Sequence, residues 1–160
     1  MLPEQVIHHV TRSIWSTYGT YLKEPRRKEQ LSIMSGDLCK TTMAPLGLSS
    51  STEGWMESMS GRRLRWEMLG NIFSVFGLSV MTMSDWDPLF ATANNDNPYS
   101  KRDYGGKIRE CAEACLALCN DVDAVNEFVV ALMSSAYVLQ SVYEDDASAF
   151  DPRIIIDLYR

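Results

Sequence analysis

From Met68 to Met83 the chain carries no charged residue, and this stretch constrains the fold more than any other. Leu69, Ile72, Phe73, Phe76, Val80 and Met83 recur at steps of three and four, the period of an α-helix. Gly70, Ser74 and Gly77 make a second face of small residues on the same helix. Two interior glycines cost about 2 kcal/mol of helix propensity. Close approach of a neighbouring helix accounts for them, because side chains there would push the backbones apart. The pattern predicts a central helix over about Gly61 to Met83, buried on most sides. The stretch is broken by Gly70, Asn71, Ser74, Gly77, Ser79 and Thr82, and falls short of the roughly 20 apolar residues that a bilayer core requires. A membrane span is not expected.

Four further helices are predicted around it. The first runs from about Pro3 to Leu22, with the apolar stripe Val6, Ile7, Val10, Ile14, Trp15, Tyr18 and Leu22. Gln5, His9, Arg12, Ser16 and Lys23 line the other side, so His9 is expected to be solvated, with His8 at the stripe edge beside Thr11 and Trp15. The second covers about Arg26 to Met43, with Leu31, Met34 and Leu38 inward and Gly36 weakening it by about 1 kcal/mol. Pro45, Gly47 and Ser49 to Ser51 read as a loop, as does the Asp-, Asn-, Pro- and Gly-rich stretch Ser84 to Gly106, with Asn94 to Pro98 at its exposed tip. The fourth helix spans about Lys107 to Asn120. The fifth is expected to be capped by Asp123 and to run to about Tyr143. Val125, Phe128, Val129, Leu132, Ala136, Leu139 and Val142 face one way, and Val130, Met133 and Tyr137 another. In the tail, Ile154-Ile155-Ile156 is either a short strand or a segment without a proper partner.

Charge and cysteine usage narrow the function classes. A net charge of −6 argues against a module built to grip phosphate backbones. The clusters Arg26-Arg27-Lys28 and Arg62-Arg63-Arg65 read as solvated helix starts, with a contact surface as the alternative. Cys111, Cys115 and Cys119 stand four apart and are expected to form one inward stripe with Ile108 and Val122. A disulfide scaffold would scatter its cysteines among loops, and structural zinc sites more often use Cys-x-x-Cys hairpins with a fourth ligand. Small buried thiols are therefore the expectation for the four cysteines, Cys39 included, ahead of a redox or metal role. The amino terminus has no basic-then-apolar signal pattern and no Asn-x-Ser/Thr site occurs, which favours an intracellular chain.

Motifs for chemistry are few. There is no Gly-rich phosphate loop, no Gly-x-Ser-x-Gly elbow and no His-Glu-x-x-His. His8 and His9, adjacent on one helix, point about 100° apart and share one metal poorly. Asp145-Asp146 and Asn120-Asp121…Glu127 faintly resemble the magnesium-pyrophosphate motifs of all-α isoprenoid synthases. The aspartate pair lacks its downstream partner, the second set lacks its hydroxyl residue, and their chain order is reversed. Acidic helix ends are the ordinary account. No catalytic, cofactor-binding, metal or DNA-binding residue is assigned, no cofactor is expected, and the chain is not expected to be an enzyme.

The run Leu64-Arg65-Trp66-Glu67-Met68-Leu69-Gly70, continued by Phe73, Gly77 and Leu78, resembles a stretch in the middle homology region of fungal zinc-cluster transcription factors. Lys107 to Asn120, Asn126 to Met133 and Leu139 to Ser148 are similar to later parts of that region, Glu144 to Ser148 standing where the family often has Gly-Asp-x-Ser. The resemblance covers most of the chain up to Ser148 and rests on helix-packing patterns rather than chemistry. Two features depart from it. Family members bind DNA through an amino-terminal six-cysteine zinc cluster that this sequence lacks, and after Ser148 the family's further helices give way to a divergent segment, 149–160.

The expected fold is all-α, an irregular multi-helix array that would be an incomplete middle-homology domain over 1–148, with 149–160 as a divergent tail. The resemblance implies a regulatory module of RNA polymerase II transcription in the nucleus. It would contact other regions of a transcription factor or regulatory proteins through packing surfaces around Trp66, Phe73 and Phe76, without sequence-specific DNA contact of its own. A helical interaction domain unrelated to transcription, or an all-α enzyme, are the alternatives. Helices apolar on more than one face, in a chain that ends where the family continues, are further expected to leave an apolar patch and to favour self-association or a partner.

Overall fold

A computed structural model describes residues 4–23, 28–47, 51–84, 87–91 and 100–144. Over these the chain is all-α, an array of helices in the order α1 (Glu4–Lys23), α2 (Lys28–Met43), α3 (Thr52–Ser58), a 3-10 turn (Gly61–Arg63), α4 (Trp66–Thr82), the short α5 (Pro88–Ala91), α6 (Lys101–Asp121) and α7 (Glu127–Tyr143). No helix among the described residues is long and apolar enough to cross a membrane.

α4 is the axis, and its small residues fix the arrangement. A Cβ built on Gly70 would lie 2.7 Å from Leu132 of α7 and 2.9 Å from the Cβ of Cys115 of α6. One built on Gly77 would lie 2.6 Å from Leu139 and 3.2 Å from Ile108. Seven residues on along α4, the α7 neighbour is also seven residues on, and the α6 neighbour seven residues back. α7 therefore runs beside α4 in the same direction, and α6 runs against both. Ser74, between the two glycines, is fully buried. This meshed trio encloses one core cluster of Cys115, Cys119, Val129, Leu132 and Ala136. The other face of α4 supplies Met68 and Ile72 to a second cluster, with Val6, Val10 and Tyr18 from α1, Leu38 from α2, and Met59 and Leu64 from the segment before α4.

Several local features differ from the sequence expectation. The central helix begins at Trp66 rather than Gly61, because Leu64 and Arg65 are extended and Gly61 takes a left-handed φ of 59°. α3 was not anticipated; Ser51 caps it, accepting from the Gly54 amide at 3.1 Å. α6 starts six residues earlier than Lys107. Ser100 and Asp103 form a reciprocal capping box that nucleates the extra turns. There Gly105 and Gly106 lie against Met81 and Tyr143. Asp123 does not cap α7. It occupies the turn with a φ of 52°, and Asn126 is the cap, its Oδ1 accepting from the Phe128 and Val129 amides at 2.9 and 3.1 Å.

Burial also differs at several places, among them Val125, grouped with one face of the fifth helix and 92% exposed. Cys111 is exposed while Cys115 and Cys119 are buried, since three positions four apart drift around a 3.6-residue helix and the first leaves the contact face. Trp15, placed on the inward stripe, is 56% exposed. His9 is half-buried, its Nε2 lying 3.2 Å from the Ser60 hydroxyl, whereas exposed His8 pairs with Glu4 at 3.5 Å. Arg26 and Arg27, the Asn94 to Pro98 loop, Asp145-Asp146 and Ile154 to Ile156 lie outside the described residues.

Candidate functional site

The feature that organises the interior is a polar junction where α2 ends and α4 and α7 begin. Arg65, expected at a solvated helix start, is 5% exposed. Its Nε donates to Oε1 of Glu67 at 2.5 Å, and its two Nη groups donate to the carbonyls of Ala44 and Thr42 at 2.8 and 2.7 Å. These carbonyls lie at the carboxyl end of α2, where helical partners run out. Glu67 is wholly buried and also accepts from Asn126 Nδ2 at 3.0 Å. The Trp66 amide donates to Thr42 Oγ1 at 3.0 Å, and the Thr41 hydroxyl donates to the Leu64 carbonyl. Asn71 donates to the Glu67 and Phe128 carbonyls at 2.7 and 3.0 Å. Arg62 and Arg63, by contrast, are exposed.

This junction fixes Trp66, and with it one wall of an apolar groove. The groove lies between α1, α2 and α4 and has a volume of about 500 Å³. α4 contributes Trp66, Leu69, Ile72, Phe73 and Phe76; α1 contributes Thr11, Ile14, Trp15 and Leu22; α2 contributes Leu31, Met34 and Ser35. None of these side chains is charged. Trp15 and Phe76, 56% and 40% exposed, form its open rim. Trp66 is held from behind, its indole Nε1 donating to Cys39 Sγ at 3.4 Å. The hydroxyl of Thr11 is buried and has no hydrogen-bond partner among the described residues. Trp66, Phe73 and Phe76, named from sequence as packing surfaces, are thus brought together on one wall. Trp15 completes the rim, although the sequence pattern placed it on the inward stripe of α1.

The groups weighed for chemistry are dispersed. Burial pushes the Cys115 and Cys119 thiols up to about 12, and burial followed by Glu110 also raises Cys111. No group of three or more His, Cys, Asp or Glu side chains among the described residues could hold a metal ion. Asn120, Asp121 and Glu127 are exposed at the facing ends of α6 and α7. A groove without charge or nucleophile can bind an apolar surface. A scan against protein-family models and searches of curated proteins and solved structures matched nothing at significant similarity.

Proposed function

We propose that this chain is a regulatory helical module of the fungal zinc-cluster transcription-factor type. It acts in the nucleus on RNA polymerase II transcription by docking protein segments in the α1–α2–α4 groove, without reading DNA itself. Its partners are other regions of a transcription factor, or regulatory proteins, that present an apolar surface.

One observation carries this proposal. The residues of the run that resembles the middle homology region have separate, interlocking jobs. Arg65 and Glu67 tie α2 to α4 and α7. Trp66 and Phe73 face the groove. Gly70 and Gly77 admit α6 and α7. A motif that builds one docking wall and its support supports a regulatory module better than a catalytic one, and the net charge of −6 supports docking to protein rather than to a phosphate backbone.

The test is a reporter assay with the chain fused between a heterologous DNA-binding domain and an activation domain. Fusion of the unaltered chain is expected to change reporter output severalfold, and Trp15→Glu with Phe76→Glu, both on the exposed rim, to abolish that change. Equal output from both fusions and from a fusion lacking the chain would refute the proposal. An interaction module outside transcription would use the same uncharged groove; a tagged chain excluded from the nucleus would favour that alternative.

A further inference from the structure

We propose that the cleft between the end of α2 and the α6–α7 turn is a second interaction surface, and that it takes a segment of a partner protein in which basic and aliphatic residues alternate. The apolar groove plays no part in this assignment.

Two helix ends build the cleft. Met43 to Leu46, where α2 runs out, form one wall, and Val122 to Glu127 form the other. Its volume is about 410 Å³, enough for side chains but not for a helix about 10 Å across. Arg65 closes the floor, its charge already matched by Glu67.

The turn is locked rather than slack. The Ala124 amide donates to the Cys119 carbonyl at 2.9 Å and the Asp123 amide to the Asn120 carbonyl at 3.1 Å, with Asp123 left-handed at a φ of 52°. This is the Schellman ending of a helix. It turns Ala124 onto the cluster around Cys119, and Asn126 then caps α7. Between these two fixed residues Val125 is held outward, 92% exposed, and on the other wall Met43 is 64% exposed. Two apolar side chains held in water on either side of one cleft gain little from folding, and a partner's aliphatic groups would bury them.

Charge selects the partner. Asp123 and Glu127 line the same cleft and are exposed, and neither has an ion-pair partner among the described residues. The carboxyl ends of α2 and α6 meet there with their negative poles. The amino end of α7 opposes them, but Asn126 already accepts from two of its amides. A lysine or arginine side chain meets both demands at once. Its methylene stem covers Met43 and Val125, and its cationic head reaches Asp123 and Glu127. The same carboxylates repel a nucleic-acid backbone or an anionic membrane.

The test uses the full chain and a short fluorescently labelled peptide of alternating lysine and leucine, read by fluorescence anisotropy and by amide chemical shifts. Saturable binding is expected, with shifts confined to residues 43–46 and 122–127. Asp123→Asn with Glu127→Gln, and separately Met43→Ser with Val125→Ser, should each weaken binding about threefold or more. Asparagine tolerates the left-handed backbone at 123 and the other side chains are exposed, so circular dichroism should not change. Glu29→Gln with Glu110→Gln removes the same charge from exposed sites in the first turn of α2 and the middle of α6, and should leave the affinity as it was. An equal loss in that control would reduce the effect to net charge and overturn the proposal. So would equal binding of a glutamate–leucine peptide, an unaltered affinity in either cleft variant, shifts centred on Trp15 and Phe76, or no saturable binding. The shift map comes from the unaltered chain, so it decides the matter even where a variant unfolds.

Discussion

Arg65 Nε and Glu67 Oε1 meet at 2.5 Å in the interior, the two side chains 6% and 0% exposed, although the residues are separated by one position in sequence. A buried pair is weak evidence of stability in itself, but removing one member leaves the other unpaired and is costly. Arg65→Met also leaves the Thr42 and Ala44 carbonyls without donors. The expected loss is about 3–5 kcal/mol in urea unfolding. Adding Glu67→Met should recover part of it. A loss below about 1 kcal/mol would mean that the pair does not hold α2 to α4.

The glycines of α4 and α2 should respond in opposite directions. Gly70→Ala sets a Cβ 2.9 Å from the Cβ of Cys115, which cannot swing away, so α4 and α6 must part. Overpacking of this kind costs about 1–3 kcal/mol and outweighs the gain in helix propensity. Gly36 has nothing within 4 Å of its ideal Cβ, and Gly36→Ala should stabilise by about 0.5–1 kcal/mol. Denaturant midpoints of the two variants on either side of the parent are the expected outcome, and midpoints shifted the same way would contradict the packing.

The assignment of the α7 cap can be checked in the same manner. Asn126→Ala removes the acceptor for two amides and a donor to Glu67, and is expected to cost about 2 kcal/mol. Asp123→Gly relieves a left-handed residue and should be neutral or raise stability by up to about 1 kcal/mol. Were Asp123 the cap, the order of the two effects would reverse.

The buried thiols predict a pH dependence. Burial raises Cys115 and Cys119 from 9.0 to about 12, with neighbouring thiols adding to the first and Glu67 to the second. Below about pH 9 the thiols are protonated whether the chain is folded or not. Above it the unfolded chain gives up protons that the folded chain retains, so stability falls as pH rises toward 12. The unfolding midpoint should drop between about pH 8 and about pH 10.5, and the drop should shrink in Cys115→Ala/Cys119→Ala. Mass spectrometry after brief alkylation at neutral pH should find Cys111 modified before Cys115 and Cys119.

Helix identity was legible where a stripe was long. α1, α4 and α7 have apolar residues at steps of three and four, and tertiary packing only reinforces them. The Gly70–Ser74–Gly77 face was legible as a demand for close neighbours, though not which helices meet it. What escaped was set by single hydrogen bonds or by distant partners. The first turns of α6 sit in a Gly- and Asp-rich stretch, where the Ser100…Asp103 capping pattern was the available signal. Asp123 and Asn126 are both good caps by type, and backbone geometry alone decides between them. Nothing local to Arg65 marks it as buried, because its partners include carbonyls more than twenty residues away. Trp66, Phe73 and Phe76 were legible as packing surfaces, but the groove was not, because it depends on how α1 and α2 lean on α4.

The two sides of α4 are fastened by different means. Toward α6 and α7 the backbones mesh closely, whereas α1 and α2 stand further off, joined to α4 by side chains, Met68 and Ile72 packing with Val6, Val10, Tyr18 and Leu38, and by the polar bonds around Leu64 to Trp66. Breaking these polar bonds would loosen the first three helices, which the shared cluster of Val6, Val10, Leu38, Met68 and Ile72 would still hold to α4, while the trio stayed shut. Amide protons in α1 and α2 should then exchange through an opening of lower free energy than those of α4, α6 and α7. The groove lies on this looser side of α4, so its width is set by side-chain packing and a polar clasp at one end rather than by meshed backbones.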